Sequence, residues 1–554
     1  MSDAPPPAEP VGPLTADGQP VNRKSIFLAS FMTLIAAGIG FAVRGIILPY
    51  WADDFGFTFL ELGTITGGGL VGFGVVILGA SLITDRLGYK TILVAALVLH
   101  VLSAVITLAA AGVYASSGKD ATFQCLYWGT FLFAIGNGLC EAVINPLVAT
   151  LYPRQKTHYL NILHAGWPGG LILGSLICLI YQKTGLDQTW GWEWPMGVFL
   201  IPVAIYGLLV LKDKFPVSEA VAAGVSYGEQ FAKLFAPLML FLLLLQACVG
   251  YVELGTDSWI ASITEKIAEG QGTLLFIYAS TLMFVLRFFA GPIVEKINPI
   301  GLLFVSACLG AVGLYFIGSS SSVAMVWIAM TVYGLGKTFL WPTMLGVVGE
   351  TFPRGGAITM GAVGGVGMLS AGLLGGPGIG YKQDFYATQY LKDNAAATYD
   401  RVAVPAEAAD GFLFFPEVQG IDGAKKGVIL DADGPGVTLS KTAAVYEERG
   451  EENPQADLVT WFDSAEAKAA EDKGPLAAAD EYGGRMALKL TALVPTFMAV
   501  CYLLLLGYFK SKGGYQQEML HEEIEHGHPA TIGVDKHGEA AGEQYAGGVE
   551  GPVR

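Results

Sequence analysis

The chain is divided into a succession of apolar runs of about twenty residues each, and that length fixes most of what it can become. The runs lie near 26–50, 60–83, 90–113, 124–151, 158–182, 194–211, 234–262, 272–290, 299–318, 322–348, 355–380 and 486–509. As helices rising about 1.5 Å per residue, they match the roughly 30 Å hydrocarbon thickness of a bilayer. Lipid offers no partner to a backbone N–H or C=O, so spans this apolar must satisfy themselves as helices. The reading is an all-α membrane protein with twelve transmembrane helices. Composition agrees: 53% hydrophobic and 14% charged residues leave too little charge to coat a soluble protein of 554 residues.

The net charge of −16 carries no message about partners. Residues 381–485 hold 20 acids against 10 bases and residues 513–554 hold 8 against 2, so the rest of the chain is neutral. Nothing basic points to nucleic acid. The cations fix an orientation instead. With the N-terminus inside, the cytoplasmic ends carry Arg23, Lys24, Arg86, Lys90, Arg154, Lys156, Lys212, Lys214, Lys233, Lys296, Arg354, Lys510 and Lys512, while the short outer loops carry only Lys119, Lys183 and Lys266. Both termini are therefore expected in the cytoplasm of a cell whose plasma or inner membrane holds the chain. The expected organisation is a disordered leader (1–24), a six-helix half (25–211), a cytoplasmic linker (212–233), helices 7–11 (234–380), an extracytoplasmic insert (381–485), helix 12 (486–512) and a disordered acidic tail (513–554). All six cysteines fall in or beside spans, without CxxC spacing, and read as small buried apolar residues. The tail histidines His521, His526, His528 and His537 read as a solvated segment; no metal is expected.

The two halves repeat each other. In the fourth span Gly138 precedes Glu141, Asn145 and Pro146, and the span ends at Tyr152-Pro153-Arg154; in the tenth, Gly334 precedes Lys337, Trp341 and Pro342, and the span ends at Phe352-Pro353-Arg354. The offset of the first part maps Glu141 onto Lys337. Glycines crowd the fifth and eleventh spans (Gly166, Gly169, Gly170 and Gly174; Gly361, Gly364, Gly365 and Gly367), which lets helices approach closely in lipid. After the second span comes Ser81-x-x-x-Asp85-Arg86-x-Gly88-Tyr89-Lys90, and after the eighth a degenerate copy, Gly291-x-x-x-Glu295-Lys296-x-Asn298. Two copies at equivalent places resemble the loop motif of the major facilitator superfamily, G-x-x-x-D-R-x-G-R-K, with Ser81 and Tyr89 as departures. The resemblance implies two six-helix, pseudo-symmetric halves that bind a solute at the midplane and alternate access by rocking, with Asp85, Arg86, Gly88, Lys90, Gly291, Glu295 and Lys296 latching neighbouring helix ends.

Charges at membrane depth mark function, because each costs at least ~2.5 kcal/mol on insertion scales and needs a partner or a wet cavity. Glu141 and Lys337 sit near mid-membrane; Glu253 and Asp257 lie one turn apart in the seventh span; Arg44 lies in the outer half of the first. The expectation is convergence of all five on a central cavity, as a substrate and proton site or as compensating ion pairs. Arg287, near the end of the eighth span, reads as a snorkelling or loop-motif arginine, and His164 as a packing histidine or a proton relay. Asn137, Asn145, Asn161 and Gln246 can bond sugar hydroxyls or bridge helices.

Glu141-x-x-x-Asn145-Pro146 followed by Leu160-Asn161 is similar to the fucose–proton symporter branch of that superfamily. The similarity implies that Glu141 carries a proton beside a bound sugar. That branch's helix-1 aspartate falls at Gly45, next to Arg44, and its later helix-5 asparagine falls at Trp167, which then reads as a sugar-stacking ring. The expected function is a secondary transporter of a sugar or polyol, driven by protons and requiring no other cofactor. It is expected to act as a monomer, with the bilayer and a small solute as partners. Two alternatives stand: Arg44 and Lys337 clamping an organic anion such as a sugar acid, and a non-transporting receptor of the same fold. No nucleotide loop, nucleophile motif or metal cluster supports an enzyme. The runs 411–415, 427–430 and 458–462 in the insert read as strands or packed loop segments of a small cap.

Overall fold

The computed structural model describes residues 13–55, 57, 59–67, 69–431, 434–449, 453 and 455–520. Helix dominates it. The first half contains α1 (Arg23–Phe55), α2 (Gly69–Leu87), α3 (Tyr89–Leu108), α4 (Ala110–Leu151), α5 (Lys156–Lys183) and α6 (Leu200–Lys212). In the second half α7 runs as Pro237–Gly250, a π-turn Tyr251–Gly255 and Thr256–Ile267. It is followed by α8 (Gly272–Arg287), α9 (Ala290–Ser319) and α10 (Val323–Lys337 with Leu340–Thr351). α11 is Gly356–Ser370, a π-turn Ala371–Gly375 and Gly376–Asn394, and α12 is Ala456–Thr491 with Leu493–Ser511. Eleven of these are long and apolar enough to cross a bilayer, and α8 is a shorter apolar helix that completes the twelve expected.

The internal repeat is structural. Gly88 turns the chain between α2 and α3 with φ 78°, and Asn298, its counterpart, breaks α9 with φ 54°. Asparagine is among the few residues beside glycine that tolerate this left-handed region. α4 and α10 end alike, on Tyr152 (φ −130°, ψ 63°) and Phe352 (φ −127°, ψ 51°), each followed by Pro-Arg. The glycines of α5 and α11 sit where backbones touch. A Cβ at Gly170 would lie 2.4 Å from the Ile35 carbonyl on α1, and one at Gly250 on α7 would lie 2.0 Å from the Gly367 carbonyl on α11. Between halves, α11 packs on α2 and α5 on α8. The π-turns of α7 and α11 meet where Gly255 faces Gly375.

The described parts of the leader and tail are built into one end of the bundle. The Val217 amide bonds the Leu14 carbonyl, and Lys214 holds Gln19 at 2.8 Å. Tyr515 bonds Glu350 at 2.7 Å, Gln517 reaches the Pro153 carbonyl, and Leu520 is buried. The linker 212–233 forms the short helices Glu219–Ala222 and Tyr227–Ala232 at the same end. The rest of the expected leader and tail, with the four tail histidines, lies outside the described residues.

The insert corrects the expectation of strands or packed loop segments. Its described residues are helical: α11 and α12 both extend into it, joined by Ala396–Val402, Gly423–Ile429 and Val437–Arg449, with only isolated bridges at Ala403–Ile421 and Asp410–Val418. Two of the apolar runs fall in helices, where Ile429 and Phe462 join Leu391, Val402 and Leu476 in a separate core. The third, 411–415, is an exposed turn with Phe414 at the surface. Asp472 is fully buried under that core and held by Arg401 and by the Thr398 hydroxyl at 2.7 Å. Lys266, at the end of α7, pairs with Asp480 at 2.5 Å and ties the insert to the bundle. Alternation over runs as short as five residues does not separate strand from helix, and Ala-rich flanks decided for helix.

Candidate functional site

Two prolines prepare the centre of the bundle. A proline inside a helix has no N–H, so the carbonyl four residues earlier loses its partner. Pro168 in α5 thus frees the carbonyl of His164, and Pro342 in α10 frees that of Thr338. Both carbonyls accept from one side chain: Arg287 of α8 donates through Nη1 to His164 O at 2.6 Å and through Nε to Thr338 O at 2.8 Å. Its third nitrogen, Nη2, binds Glu253 Oε1 at 2.9 Å. Glu253 sits in the π-turn of α7, and its other oxygen accepts the Trp341 amide at 3.2 Å. Arg287 is therefore buried, not snorkelling, and satisfied by groups from α5, α7 and α10 at once. Four residues from a loop motif, it resembles a surface cation in sequence; the prolines four residues after His164 and Thr338 were the missed signal.

On the other side of the centre, Asn145 Nδ2 donates to Glu141 Oε2 at 2.8 Å. With its amide N–H spent there, Asn145 presents Oδ1 to His164 Nε2 at 2.9 Å, so His164 carries a proton on Nε2. Glu141 is buried and has no cation within 4.0 Å among the described residues. A line of groups runs from Glu141 through Asn145 and His164 to Arg287 and Glu253, from one half into the other. Asn161 bridges the halves as well, donating to Thr343 Oγ1 at 3.2 Å.

The other expected members divide. Lys337 does not meet its repeat mate Glu141; its ammonium is bonded to Asp257, which lies one turn from Glu253, and stands 5.4 Å from the Tyr333 ring. The cause is geometry within one half: α10 breaks at Thr338–Phe339, and Lys337 ends the first segment beside α7. Arg44 does not join the cavity charges. It turns inward into the first half, bonding Ser103 at 3.0 Å and the Gly40 carbonyl at 3.3 Å, with its guanidinium 3.8 Å from the Phe133 ring centre. Trp167 is half-buried and stands 5.0 Å from Phe41, an aromatic pair beside α1. Gln246 is buried beside Trp341 and Gly367, with no hydrogen-bond partner on either amide atom among the described residues. Asn137 is spent on His100, whose other nitrogen meets Tyr206 at 2.8 Å inside the first half.

At the end where the described parts of the leader and tail lie, the halves are closed against each other. Glu350 of α10 accepts from the Thr157 amide at 3.1 Å and hydroxyl at 2.6 Å, and Lys156 reaches the Gly349 carbonyl at 3.0 Å and Glu219 at 2.7 Å. The first loop motif belongs to this closure. Asp85 is half-buried, with both carboxylate oxygens enclosed under the start of α11 beside Gly356 and Gln230. Arg86 covers the Tyr227 ring at 4.1 Å, and Lys90 holds the Leu211 and Asp213 carbonyls at 3.0 Å each. The second copy differs. The Gly291 amide bonds His158 Nδ1 at 3.0 Å, whereas Glu295 and Lys296 are exposed. Glu350, which does the work of a clasp here, has no signature in the sequence beyond an acid at the end of an apolar span.

A family model for the Major Facilitator Superfamily matches residues 27–376. The chain belongs to the Major Facilitator Superfamily. Among characterised proteins it is 23% identical over 335 residues to the L-fucose-proton symporter of Escherichia coli (strain K12), covering 54% of this chain and 74% of that one. A solved structure of a superfamily transporter in the outward conformation, the fucose transporter FucP, superposes with a TM-score of 0.53 at 19% identity, over 65% of this chain and 91% of that one. The proton:xylose symporter XylE superposes with a TM-score of 0.56 at 13% identity, over 68% and 90%. These similarities show the fold, two six-helix halves of the superfamily.

Proposed function

We propose that this protein is a secondary active transporter that moves a sugar or related polyol by alternating access, coupled to protons. The observation that carries the reading is Glu141: a carboxylate buried at the centre of the bundle, with an amide for a partner and no cation within ion-pair distance among the described residues. With an amide rather than a fixed cation as its partner, Glu141 has no counter-charge that must be abandoned when it takes up a proton. The similarity to an L-fucose-proton symporter supports the same assignment. Trp167 offers a ring face, and Gln246, Asn161 and the neighbouring hydroxyl of Thr343 offer hydrogen bonds suited to a polyol. An anion clamp formed by Arg44 and Lys337 is disfavoured, because Lys337 is neutralised by Asp257 and Arg44 lies inside one half. We assign the protein to the cell membrane as a monomer, with both termini in the cytoplasm and protons as its coupling ion. Uptake of labelled sugars and polyols into proteoliposomes, with and without an imposed proton gradient, tests the reading. Accumulation against a gradient only when protons are driven inward is the expected result, and gradient-independent equilibration or no uptake of any such solute overturns it.

A further inference from the structure

Arg287 has no role in the motifs above, yet it makes the only contact at this depth that joins a cavity carboxylate to the opposite half, among the described residues. Its three donors are divided unequally. Nη2 to Glu253 and Nε to Thr338 stay within the second half, whereas Nη1 to the His164 carbonyl crosses to α5 of the first. That carbonyl is available only because Pro168 follows it by four residues. It belongs to His164, whose ring bonds Asn145, which bonds Glu141. Around it the halves are closed through Asn161–Thr343 and, nearer the termini, Thr157–Glu350. If the halves rock as rigid bodies, the bonds inside each half persist and those between them break. Arg287 keeps Glu253 and Thr338 throughout and loses His164.

We propose that Arg287 is a positioning residue for transport: its bond to the proline-freed carbonyl of His164 is a tie between the halves that holds the closed state at the termini end and must be released in each cycle. The proposal rests on the alternating-access reading, although its first measurement needs no substrate. Three facts favour a releasable tie over permanent packing. A carbonyl accepting a guanidinium is neutral, so releasing it strands no charge, and Glu253 keeps Arg287 neutralised in both states. The freed carbonyl has a second partner available in water once the termini end opens. Each of the two prolines lies four residues from a carbonyl that Arg287 uses, one in each half.

The prolines supply the test. Pro168→Ala restores the missing N–H, lets α5 satisfy the His164 carbonyl internally, and leaves Arg287, Glu253 and every charge in place. Alanine is the better helix former, so the variant is expected to fold. Distances between spin labels at Gln155 in the first half and Lys296 in the second, both exposed, report opening of the termini end in the full chain reconstituted in nanodiscs. The expected result is a shift of roughly 10- to 100-fold toward the open population, the effect of one charge-assisted hydrogen bond. Pro342→Ala, which alters only the bond inside the second half, should leave the distances as in the wild type. Arg287→Lys, which keeps the charge for Glu253 but cannot span both carbonyls, should reproduce the shift. An unchanged distance distribution in Pro168→Ala, or equal shifts from both proline variants, overturns the proposal. Should the distances shift while no sugar or polyol is accumulated, the tie stands and the assigned substrate class falls.

Discussion

Replacing Glu253 by glutamine separates the ion-pair role of the central charges from any other. Glu253 and Arg287 are both buried, with side chains 5% and 1% exposed, and Glu253 uses each oxygen once, toward Arg287 at 2.9 Å and the Trp341 amide at 3.2 Å. Glutamine has one acceptor where two donors converge. Whichever way its amide turns, an NH2 group faces a donor. The loss is a charge-assisted hydrogen bond, about 1.5–3 kcal/mol, together with the cost of an uncompensated guanidinium, for about 3–5 kcal/mol in all. Each half is close in size to domains for which 1 kcal/mol moves the midpoint by about 2–4 °C, so Glu253→Gln should lower the thermal midpoint by about 6–20 °C. Arg287→Met leaves the carboxylate unpaired and should cost as much. The double variant Glu253→Gln/Arg287→Met removes both charges and should recover the electrostatic part of the loss, while the carbonyls of His164 and Thr338 stay without their donor. Thermal unfolding in one detergent, followed by tryptophan fluorescence and by the monodisperse fraction on size exclusion, measures all three. Single variants as stable as the wild type, or a double variant no better than the worse single one, would refute the reasoning.

Glu141→Gln, which imitates the protonated carboxyl, is expected to retain substrate binding and exchange but lose gradient-driven accumulation; exchange assays beside uptake in the same vesicles distinguish the two. Lys337→Met leaves Asp257 without its cation, so its defect should be relieved by Asp257→Asn and not by Glu141→Gln, as uptake and thermal midpoint of the two double variants will show. Asp85→Asn weakens the seat beneath α11 and should slow transport while leaving the protein folded and inserted, read as initial uptake rate at matched expression. Cysteines introduced at Glu447 in the insert and at Gln516 after α12 should label with an impermeant maleimide from outside and only after permeabilisation, respectively; the reverse pattern inverts the orientation.

Most of the fold is legible in the chain because a bilayer makes local sequence decisive. Twenty apolar residues have one way to satisfy their backbone in lipid, and a repeat of Gly, charge and Pro at constant spacing reveals duplication without any coordinates. The shared turn at Gly88 and Asn298 follows from the same short patterns. What the sequence left open are the pairings. Two acids on α7, an acid on α4 and cations on α1, α8 and α10 admit several neutral combinations, and symmetry favoured Glu141 with Lys337. The tertiary structure chose Lys337 with Asp257 and Glu253 with Arg287, because the π-turn of α7 and the break in α10 place these side chains within one half. It drew Arg44 into the first half and left Glu141 to Asn145. Ion pairing depends on distances of a few ångströms between helices far apart in the chain, and a one-dimensional pattern records which charges are buried but not which of them meet.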